Sequence, residues 1–310
     1  MPTIAIVGAG LIGRSWAIVF ARGGWDVRLT DPSAETLAAA PGLIRRGLEE
    51  LAEYQLVEDV DAAAARMTVA SSLADAVQGV DFVQENGPED LEAKRRIFAE
   101  LDAAAPPHAI LASSTSAIVA SLFTENLKGR ARCLVAHPVN PPHLVPIVEL
   151  CGAPWTAPEV IETARRFYDS VGQAPITVHR EIEGFVLNRL QVALLSEAFR
   201  LVGEGVVSPT DLDKTIAEGL GLRWSFMGPF QTIELNAPGG ILDYCARYAP
   251  FFRRYMADRP SATVWDQANI DRVMAAWTRS PTREEIAERT DWRDRRLTAL
   301  KAHKQSQPDT

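Results

Sequence analysis

The sequence has little cysteine and none of the patterns in which cysteine usually builds structure. Cys133, Cys151 and Cys245 are the three cysteines in 310 residues, and no Cys-x-x-Cys pair occurs. Their odd number and wide spacing argue against a disulfide framework or a zinc site, so we expect no bound metal. Reduced thiols in a cytoplasmic protein are the expected state.

Long hydrophobic runs are missing as well. No segment approaches the roughly 20 apolar residues that a membrane-spanning helix needs, and no basic stretch precedes the apolar residues near the N-terminus. The sequence therefore predicts a soluble, non-secreted protein that makes no contact with a membrane.

The basic residues form no stripe along the chain. The formal net charge is −8 at pH 7, and lysine and arginine are interspersed with aspartate and glutamate. This balance argues against nucleic acid as a partner and favours a small molecule or another protein. A chain of 310 residues with 47% hydrophobic residues is long for one core, so we expect two domains.

The N-terminal part does contain a repeated strand and helix pattern. The β-rich run "TIAIVGAG" ends in glycine, "LIGRSWAIVFARGG" reads as a helix, and "DVRLTD" is the next strand. Further strands are predicted at "MTVA", "DFVQE", "AILAS", "RCLVAH" and "APITV", and residues 34–66 read as an inserted helical hairpin. The pattern predicts an α/β fold with a Rossmann-type, doubly wound parallel sheet over residues 1–183.

Residues 184–310 carry helical patterns alone, which predicts an all-helical second domain. Its first segment, "GFVLNRLQVALLSEAFRLVGEG", is apolar on nearly every face, as in a helix buried at the centre of a domain or at a subunit interface. The tail from about Arg283 alternates acidic and basic residues with few large apolar ones, which predicts a solvated helix with a frayed end.

A glycine fingerprint lies between the first predicted strand and helix. The spacing of Gly8, Gly10 and Gly13 is G-x-G-x-x-G. In this context Gly8 permits the tight turn, Gly10 lets the backbone approach a pyrophosphate, and Gly13 lets helix and strand pack closely. Leu11 and Ile12 open the helix, whose N-terminal N–H groups favour a negatively charged ligand.

Asp31 ends the second predicted strand, eighteen positions after Gly13. A carboxylate there accepts hydrogen bonds from ribose hydroxyls and repels a 2′-phosphate, which favours NAD over NADP as the cofactor. Since FAD-binding proteins share the fingerprint, the glycines do not exclude FAD. A helical second domain and a candidate acid–base pair favour the nicotinamide cofactor.

The candidate acid–base pair lies in "AHPVNPPHLVPIVEL", residues 136–150. His137 ends a predicted strand at the sheet edge where ligands of such folds bind, whereas His143 lies among prolines. The prolines can turn the chain so that Glu149 returns beside His137 and accepts from its imidazole N–H. The alternative is a buried structural histidine and a glutamate that binds a backbone group.

Other polar residues are weaker candidates. Ser114, Thr115 and Ser116 follow the strand "AILAS", where their hydroxyls either contact a substrate alcohol or the nicotinamide ribose, or cap a helix. Asn188 lies in the apolar helix and is either a packing hydrogen bond or a substrate contact. Arg223 follows a glycine-rich connection and either pairs with a carboxylate or lies at the surface.

Taken together, these residues resemble the 3-hydroxyacyl-CoA dehydrogenase superfamily, and more narrowly its lambda-crystallin branch, whose enzyme is L-gulonate 3-dehydrogenase. The resemblance covers nearly the whole chain. It is carried by "VGAGLIGRSWA", "PEDLEAKRRIFAELD", "SSTSAI", "VAHPVNPP" followed by "VELC", "GFVLNRLQ", "SPTDLDKTIAEGLGLRW" and "MGPF".

The resemblance implies roles for matching residues. It implies a catalytic dyad of His137 and Glu149, with Ser116 and Asn188 on the substrate oxygen. It also implies contacts to NAD from three further residues, which are Glu89, Lys94 and Asn140. The helical C-terminal domain of the family forms a dimer, and a homodimer is therefore expected.

One departure from the acyl-CoA branch narrows the expected substrate. In that branch the hairpin after the second strand is rich in lysine and helps to bind CoA, whereas residues 34–66 here contain only three bases, Arg45, Arg46 and Arg66. CoA would find few phosphate partners. We expect NAD-dependent oxidation of a small free 3-hydroxy acid such as L-gulonate, with Arg223 as the carboxylate clamp.

Three alternatives to that reading remain open. One is a dehydrogenase of 3-hydroxyacyl-CoA or 3-hydroxybutyrate, and a second is a carnitine dehydrogenase. A third is a non-catalytic, crystallin-like protein that binds NADH.

Overall fold

A computed structural model gives the fold and describes residues 1–276 and 279–307. The strands are β1 (Thr3–Val7), β2 (Asp26–Thr30), β3 (Met67–Val69), β4 (Phe82–Glu85), β5 (Ile110–Ser113), β6 (Cys133–Pro138), β7 (Ile147–Gly152) and β8 (Ala174–Val178). The α-helices of the N-terminal part are α1 (Leu11–Arg22), α2 (Ala34–Ala52), α3 (Val60–Ala65), α4 (Leu73–Ala76), α5 (Leu91–Ala104), α6 (Ser121–Thr124) and α7 (Pro158–Ser170). Those that follow are α8 (Leu187–Gly203), α9 (Pro209–Lys214), α10 (Leu222–Trp224), α11 (Pro229–Glu234), α12 (Gly240–Tyr255), α13 (Gln267–Met274) and α14 (Arg283–Ser306).

The strands form one sheet in the order β3-β2-β1-β4-β5-β6-β7-β8. Strands β1 to β6 run parallel, as the βαβ pattern predicts, and the helical hairpin at 34–66 is present as α2 and α3. The predicted α/β fold with a Rossmann-type sheet and a helical C-terminal part is confirmed.

The last two strands differ from the prediction of a parallel sheet. Strand β7 pairs with β6 in antiparallel register, and β8 runs parallel to β7. Residues 139–146 are too few for the crossover that a parallel neighbour would require, so the chain can only turn back. The register places His137 opposite Glu149.

The central part of the sheet is covered on both faces, which explains why a strand such as β1 is continuously apolar. Residues Ile4 to Val7 of β1 are all buried, and α1 packs Trp16 and Phe20 into the same hydrophobic cluster as Tyr168 of α7. Trp16, Phe20 and Tyr168 are fully buried, and their ring centroids lie 5.4 to 5.9 Å from one another. Helices α1 and α7 are therefore joined by aromatic packing on the sheet.

The chain divides into two compact units, and the division differs from the predicted one near its C-terminal end. The first unit is Met1–Leu187 together with the segment from Asp291, and the second is Asn188–Thr290. The tail, predicted as a solvated helix of the second domain, is helix α14, and its later part belongs to the first unit. There Thr298 is buried, and Leu297 packs against the hydrophobic core.

Helix α8 leaves much of its apolar surface uncovered in the single chain. Leu190 is 65% exposed and Val192 54% exposed, while Val202 is the buried residue of the helix. The sequence predicts that this helix is buried either at the centre of a domain or at a subunit interface, and burial at the centre of a domain is not observed. No helix within residues 1–276 and 279–307 is both long enough and apolar enough to cross a membrane.

We predict that Leu297→Ala lowers the free energy of unfolding by about 1 to 2 kcal/mol, less than for a fully buried leucine, because Leu297 is partly buried against the core. Denaturant titration measures this change. Leu300→Ala, on the same helix at a position 41% exposed, is the matched control and should change it by less than about 0.5 kcal/mol. Equal values for both variants would contradict the packing of α14 on the first unit.

Candidate active site

The glycine loop after β1 is the first part of the site. Gly8 has φ of +98°, and a Cβ there would lie 2.8 Å from the carbonyl oxygen of Asn86. A Cβ on Gly13 would lie 1.8 Å from the carbonyl oxygen of Gly8, so helix α1 and the turn touch at this point. Both glycines are therefore required by the packing of the chain itself.

Gly10 differs from its neighbours because a Cβ there would meet nothing within 4 Å. Gly10 is the N-cap of α1 and, having no side chain, leaves the first N–H groups of the helix without a side-chain partner. It is followed by the exposed Leu11 and the partly buried Ile12. The first N–H groups of a helix have no partner inside the helix and attract anions. The open space over Gly10 fits the pyrophosphate of a dinucleotide.

Asp31 follows β2 and folds against this loop. One carboxylate oxygen accepts from the N–H of Ala9 at 2.7 Å, and the other accepts from the N–H of Ser33 at 2.8 Å. Because each carboxylate oxygen has two lone pairs, both can still accept from ribose hydroxyls. The position and charge of Asp31 fit the adenosine ribose of NAD.

His137 and Glu149 form a buried pair across strands β6 and β7. The imidazole Nδ1 lies 2.8 Å from Glu149 Oε2, and His137 and Glu149 are 5% and 1% exposed, respectively. With the proton on Nδ1, the carboxylate orients the ring and leaves Nε2 as the acceptor of a proton. This arrangement suits a general base.

The second oxygen of Glu149 binds the start of helix α8. Oε1 accepts from the N–H groups of Val186 and Leu187 at 2.9 and 3.0 Å. Burial on its own would raise the pKa of Glu149, but the hydrogen bonds from His137, Leu187 and Val186 outweigh it and hold the pKa below its ordinary value. Glu149 is therefore a carboxylate at neutral pH. Glu149 therefore binds backbone N–H groups, the alternative role predicted for it, and pairs with His137 at the same time.

The ring of Phe185 covers the imidazole of His137. The ring centroids are 5.4 Å apart and the planes are inclined by 33°. Phe185 is fully buried and has φ of +47°, a left-handed conformation that non-glycine residues rarely adopt. Sequence reasoning missed this residue, since its pattern is that of an ordinary helical position.

Ser116 lies in a turn that is held by Glu89. Glu89 Oε1 accepts from the Thr115 hydroxyl at 2.6 Å and from the N–H groups of Ser116 and Ala117 at 3.0 and 2.9 Å. The structure thus gives Glu89 a role in shaping this turn. Its other oxygen is not used by these bonds, so the predicted contact with NAD stays a prediction.

Lys94 is buried inside the first unit. Its Nζ lies 2.8 Å from both carboxylate oxygens of Glu85 and 3.2 Å from the carbonyl oxygen of Gly87. Ser113 also donates to Glu85 at 2.6 Å. This ion pair ties α5 to the ends of β4 and β5, so Lys94 stabilises the sheet edge, and its predicted contact with NAD stays a prediction.

A polar network centred on Ser114 lies at the same edge. The Gln84 amide donates to the Ser114 hydroxyl at 2.7 Å, and the Tyr168 hydroxyl donates to the Gln84 carbonyl. Ser114 also accepts from the Trp16 indole at 3.0 Å and donates to Asn86 at 2.7 Å. The network fixes the ends of β4 and β5 behind the glycine loop.

The remaining predicted residues occupy several places. Asn140 is exposed on the loop after β6, and His143 lies further along this loop with a buried Nδ1. Asn188 on α8 and the exposed Arg223 on α10 belong to the second unit. In the part of the chain that the structure describes, no three His, Cys, Asp or Glu side chains are grouped as a metal site.

Comparisons with known proteins agree on one family. Residues 3–182 match "3-hydroxyacyl-CoA dehydrogenase, NAD binding domain", and residues 184–283 match "3-hydroxyacyl-CoA dehydrogenase, C-terminal domain". Lambda-crystallin of Oryctolagus cuniculus is 41% identical, with 98% of this chain and 97% of that protein covered. L-carnitine dehydrogenase of Streptomyces griseus subsp. griseus is 38% identical, with 94% of this chain and 87% of that protein covered.

A solved structure agrees over the whole length. The structure of 5-formyl-3-hydroxy-2-methylpyridine 4-carboxylic acid (FHMPC) 5-dehydrogenase, described as an NAD+ dependent dismutase, superimposes with a TM-score of 0.87 at 26% sequence identity. The match covers 99% of this chain and 100% of that chain. The matched NAD binding domain and the open cradle at Gly10 identify NAD as the cofactor.

We predict that Gly10→Ala keeps the fold and raises the Kd for NADH by roughly tenfold or more, about 1.4 kcal/mol, because the methyl group enters the open cradle. Fluorescence titration with NADH measures Kd, and thermal unfolding reports the fold. Gly42→Ala, which also meets no atom within 4 Å, is the control and should bind NADH like the wild type. Unchanged NADH binding by Gly10→Ala would exclude this path for the pyrophosphate.

Proposed function

Because this chain belongs to the 3-hydroxyacyl-CoA dehydrogenase family and uses NAD, we propose that it oxidises a small free 3-hydroxy acid, L-gulonate or a close analogue, to the 3-keto acid. The observation that carries the proposal is the buried pair of His137 and Glu149, with 2.8 Å between Nδ1 and Oε2. It supplies the base that oxidation of an alcohol requires.

In the proposed reaction, His137 Nε2 takes the proton of the substrate hydroxyl. The C–H bond at the same carbon breaks with its electron pair, and the C–O bond becomes a carbonyl. When bound, NAD supplies the acceptor for the hydride. Glu149 accepts from Nδ1–H throughout, so it keeps the imidazole oriented and stabilises the imidazolium that forms.

Ser116 and Asn188 are proposed to hold the substrate oxygen. Three hydrogen bonds to Glu89 hold the backbone of the turn that carries Ser116, just after β5. Asn140 is proposed to lie near the nicotinamide, and Arg223 to bind the substrate carboxylate in a bidentate pair.

A free acid is preferred to a CoA thioester because the hairpin offers few cations for the CoA phosphates. Arg45 is already paired with Glu49 at 3.1 Å and with Asp61 at 2.5 Å, and Arg66 lies 3.6 Å from Asp26. Phosphate groups would have to compete with these carboxylates. The proposal therefore places no CoA on α2 and α3.

A cavity beside the Ser116 turn favours one second candidate, a 3-hydroxy acid that carries a quaternary ammonium, as carnitine does. The cavity has a volume of about 500 Å³ and is lined by Ala117, Ile118, Val119, Leu122, Glu181, Ile182 and Glu183. Two carboxylates attract a cation, and the apolar side chains among them suit its methyl groups. L-carnitine dehydrogenase, at 38% identity, is a relative with such a substrate in its name.

We predict that His137→Gln lowers kcat by roughly a hundredfold to ten-thousandfold while the Kd for NADH stays within about twofold, because the base is lost and the cradle is not touched. The assay follows NADH formation with L-gulonate, 3-hydroxybutyrate, L-carnitine and a 3-hydroxyacyl-CoA. His179→Gln removes an exposed histidine of the same unit and serves as the control.

Each outcome of this assay separates the candidates. Turnover of the CoA ester without turnover of any free acid would overturn the preference for free acids, and a high kcat/KM for L-carnitine alone would favour the second candidate. Retained activity in His137→Gln would remove His137 as the base. Tight NADH binding by the wild type without any turnover would favour the non-catalytic alternative.

We also propose a homodimer built on α8, since a monomer rarely exposes as many neighbouring apolar side chains as this helix does, Leu190 and Val192 among them.

We predict that the wild type has the mass of a dimer in light scattering and that Leu190→Asp lowers it to that of a monomer. Leu122→Asp, at a position 48% exposed in the first unit, is the control and should keep the wild-type mass. A wild-type monomer at assay concentrations would contradict the dimer.

A further inference from the structure

The loop between β6 and β7 receives one hydrogen bond from the far end of the chain. Lys301 Nζ, on α14, donates to the carbonyl oxygen of His143 at 3.0 Å, across 158 residues of sequence. Both residues are partly buried and belong to the first unit. Leu297, one helical turn before Lys301, packs on the core cluster that contains Leu144 of the loop. The helix is therefore anchored beside the loop.

The loop itself has few hydrogen bonds that could hold its shape. Pro141, Pro142 and Pro146 have no N–H to donate. Leu144 and Val145 both donate to the carbonyl oxygen of Pro141 at 3.0 Å. Leu144 is buried in the core, and the carbonyl of His143 is bound from outside the loop by Lys301 of α14.

The charges around Lys301 show that this lysine is not placed for an ion pair. Arg22 from α1 is a cation near it, and no carboxylate of the described residues lies within 4 Å of its Nζ. Burial, followed by the charge of Arg22, lowers the pKa of Lys301 to about 7. Burial, followed by the charges of Arg22, Lys301 and Arg293, lowers the pKa of His143 to about 3. A neutral amine still donates an N–H to a carbonyl.

We propose that Lys301 is a positioning residue: its hydrogen bond to the His143 carbonyl fixes the loop whose two ends carry His137 and Glu149. The inference rests on the proposed function for its effect on catalysis. The loop connects residues that face each other in the β6–β7 register, so a displaced loop displaces the imidazole against the carboxylate. Small displacements of a catalytic base reduce the turnover rate strongly.

The test replaces Lys301 by Met, which keeps the length of the side chain and removes the donor. We expect a kcat lower by about tenfold with an unchanged Kd for NADH. The proton on Nδ1 of His137, followed by NMR, should exchange faster with water, because its bond to Glu149 loosens. Lys301→Arg keeps a donor and should recover most of the activity. Lys304→Met, at an exposed position on the same helix, should match the wild type.

The outcomes distinguish this inference from the proposed function. Wild-type kcat and wild-type proton exchange in Lys301→Met overturn the inference, while an inactive His137→Gln leaves the proposed function in place. Equal losses in Lys301→Met and Lys301→Arg overturn the hydrogen bond as the cause. If no substrate is found, the NMR measurement on the full chain still decides, since it needs no turnover. All variants are measured well below their melting temperatures.

Discussion

The antiparallel pairing of β6 and β7 is the constraint on which the rest of the site depends. It places the acceptor of the imidazole Nδ1–H, Glu149, directly opposite His137, where both side chains are buried. Burial of a carboxylate is costly unless it is hydrogen-bonded, and here both oxygens have partners. The turn before α8, the loop after β6 and the covering ring of Phe185 are all arranged around this one pair.

Much of this arrangement could be predicted because the signals are local. The spacing of Gly8, Gly10 and Gly13 and the position of Asp31 follow from one βαβ unit. The return of Glu149 to His137 follows from a short connection rich in proline, which can only turn back. These features need no knowledge of the distant chain.

The rest could not be predicted, because it depends on contacts between residues far apart in sequence. Nothing in "PEDLEAK" indicates that Glu89 binds the turn at Ser116 or that Lys94 is buried on Glu85. The composition of the tail, in which acidic and basic residues dominate, predicts a solvated helix, whereas its packing depends on a few positions such as Leu297 and Thr298. The hydrophobic periodicity of a sequence is judged over a whole helix, so it does not reveal a contact that only one or two residues make.

The buried pair of Lys94 and Glu85 has a consequence for how this sequence can change over evolutionary time. Loss of either partner leaves an uncompensated charge in the interior, which costs about 3 to 5 kcal/mol, a large share of the stability of a typical domain. A lineage that carries one change alone would be removed by selection before the second arose. Substitutions at Lys94 and Glu85 are therefore coupled, so the two positions should change together or remain unchanged.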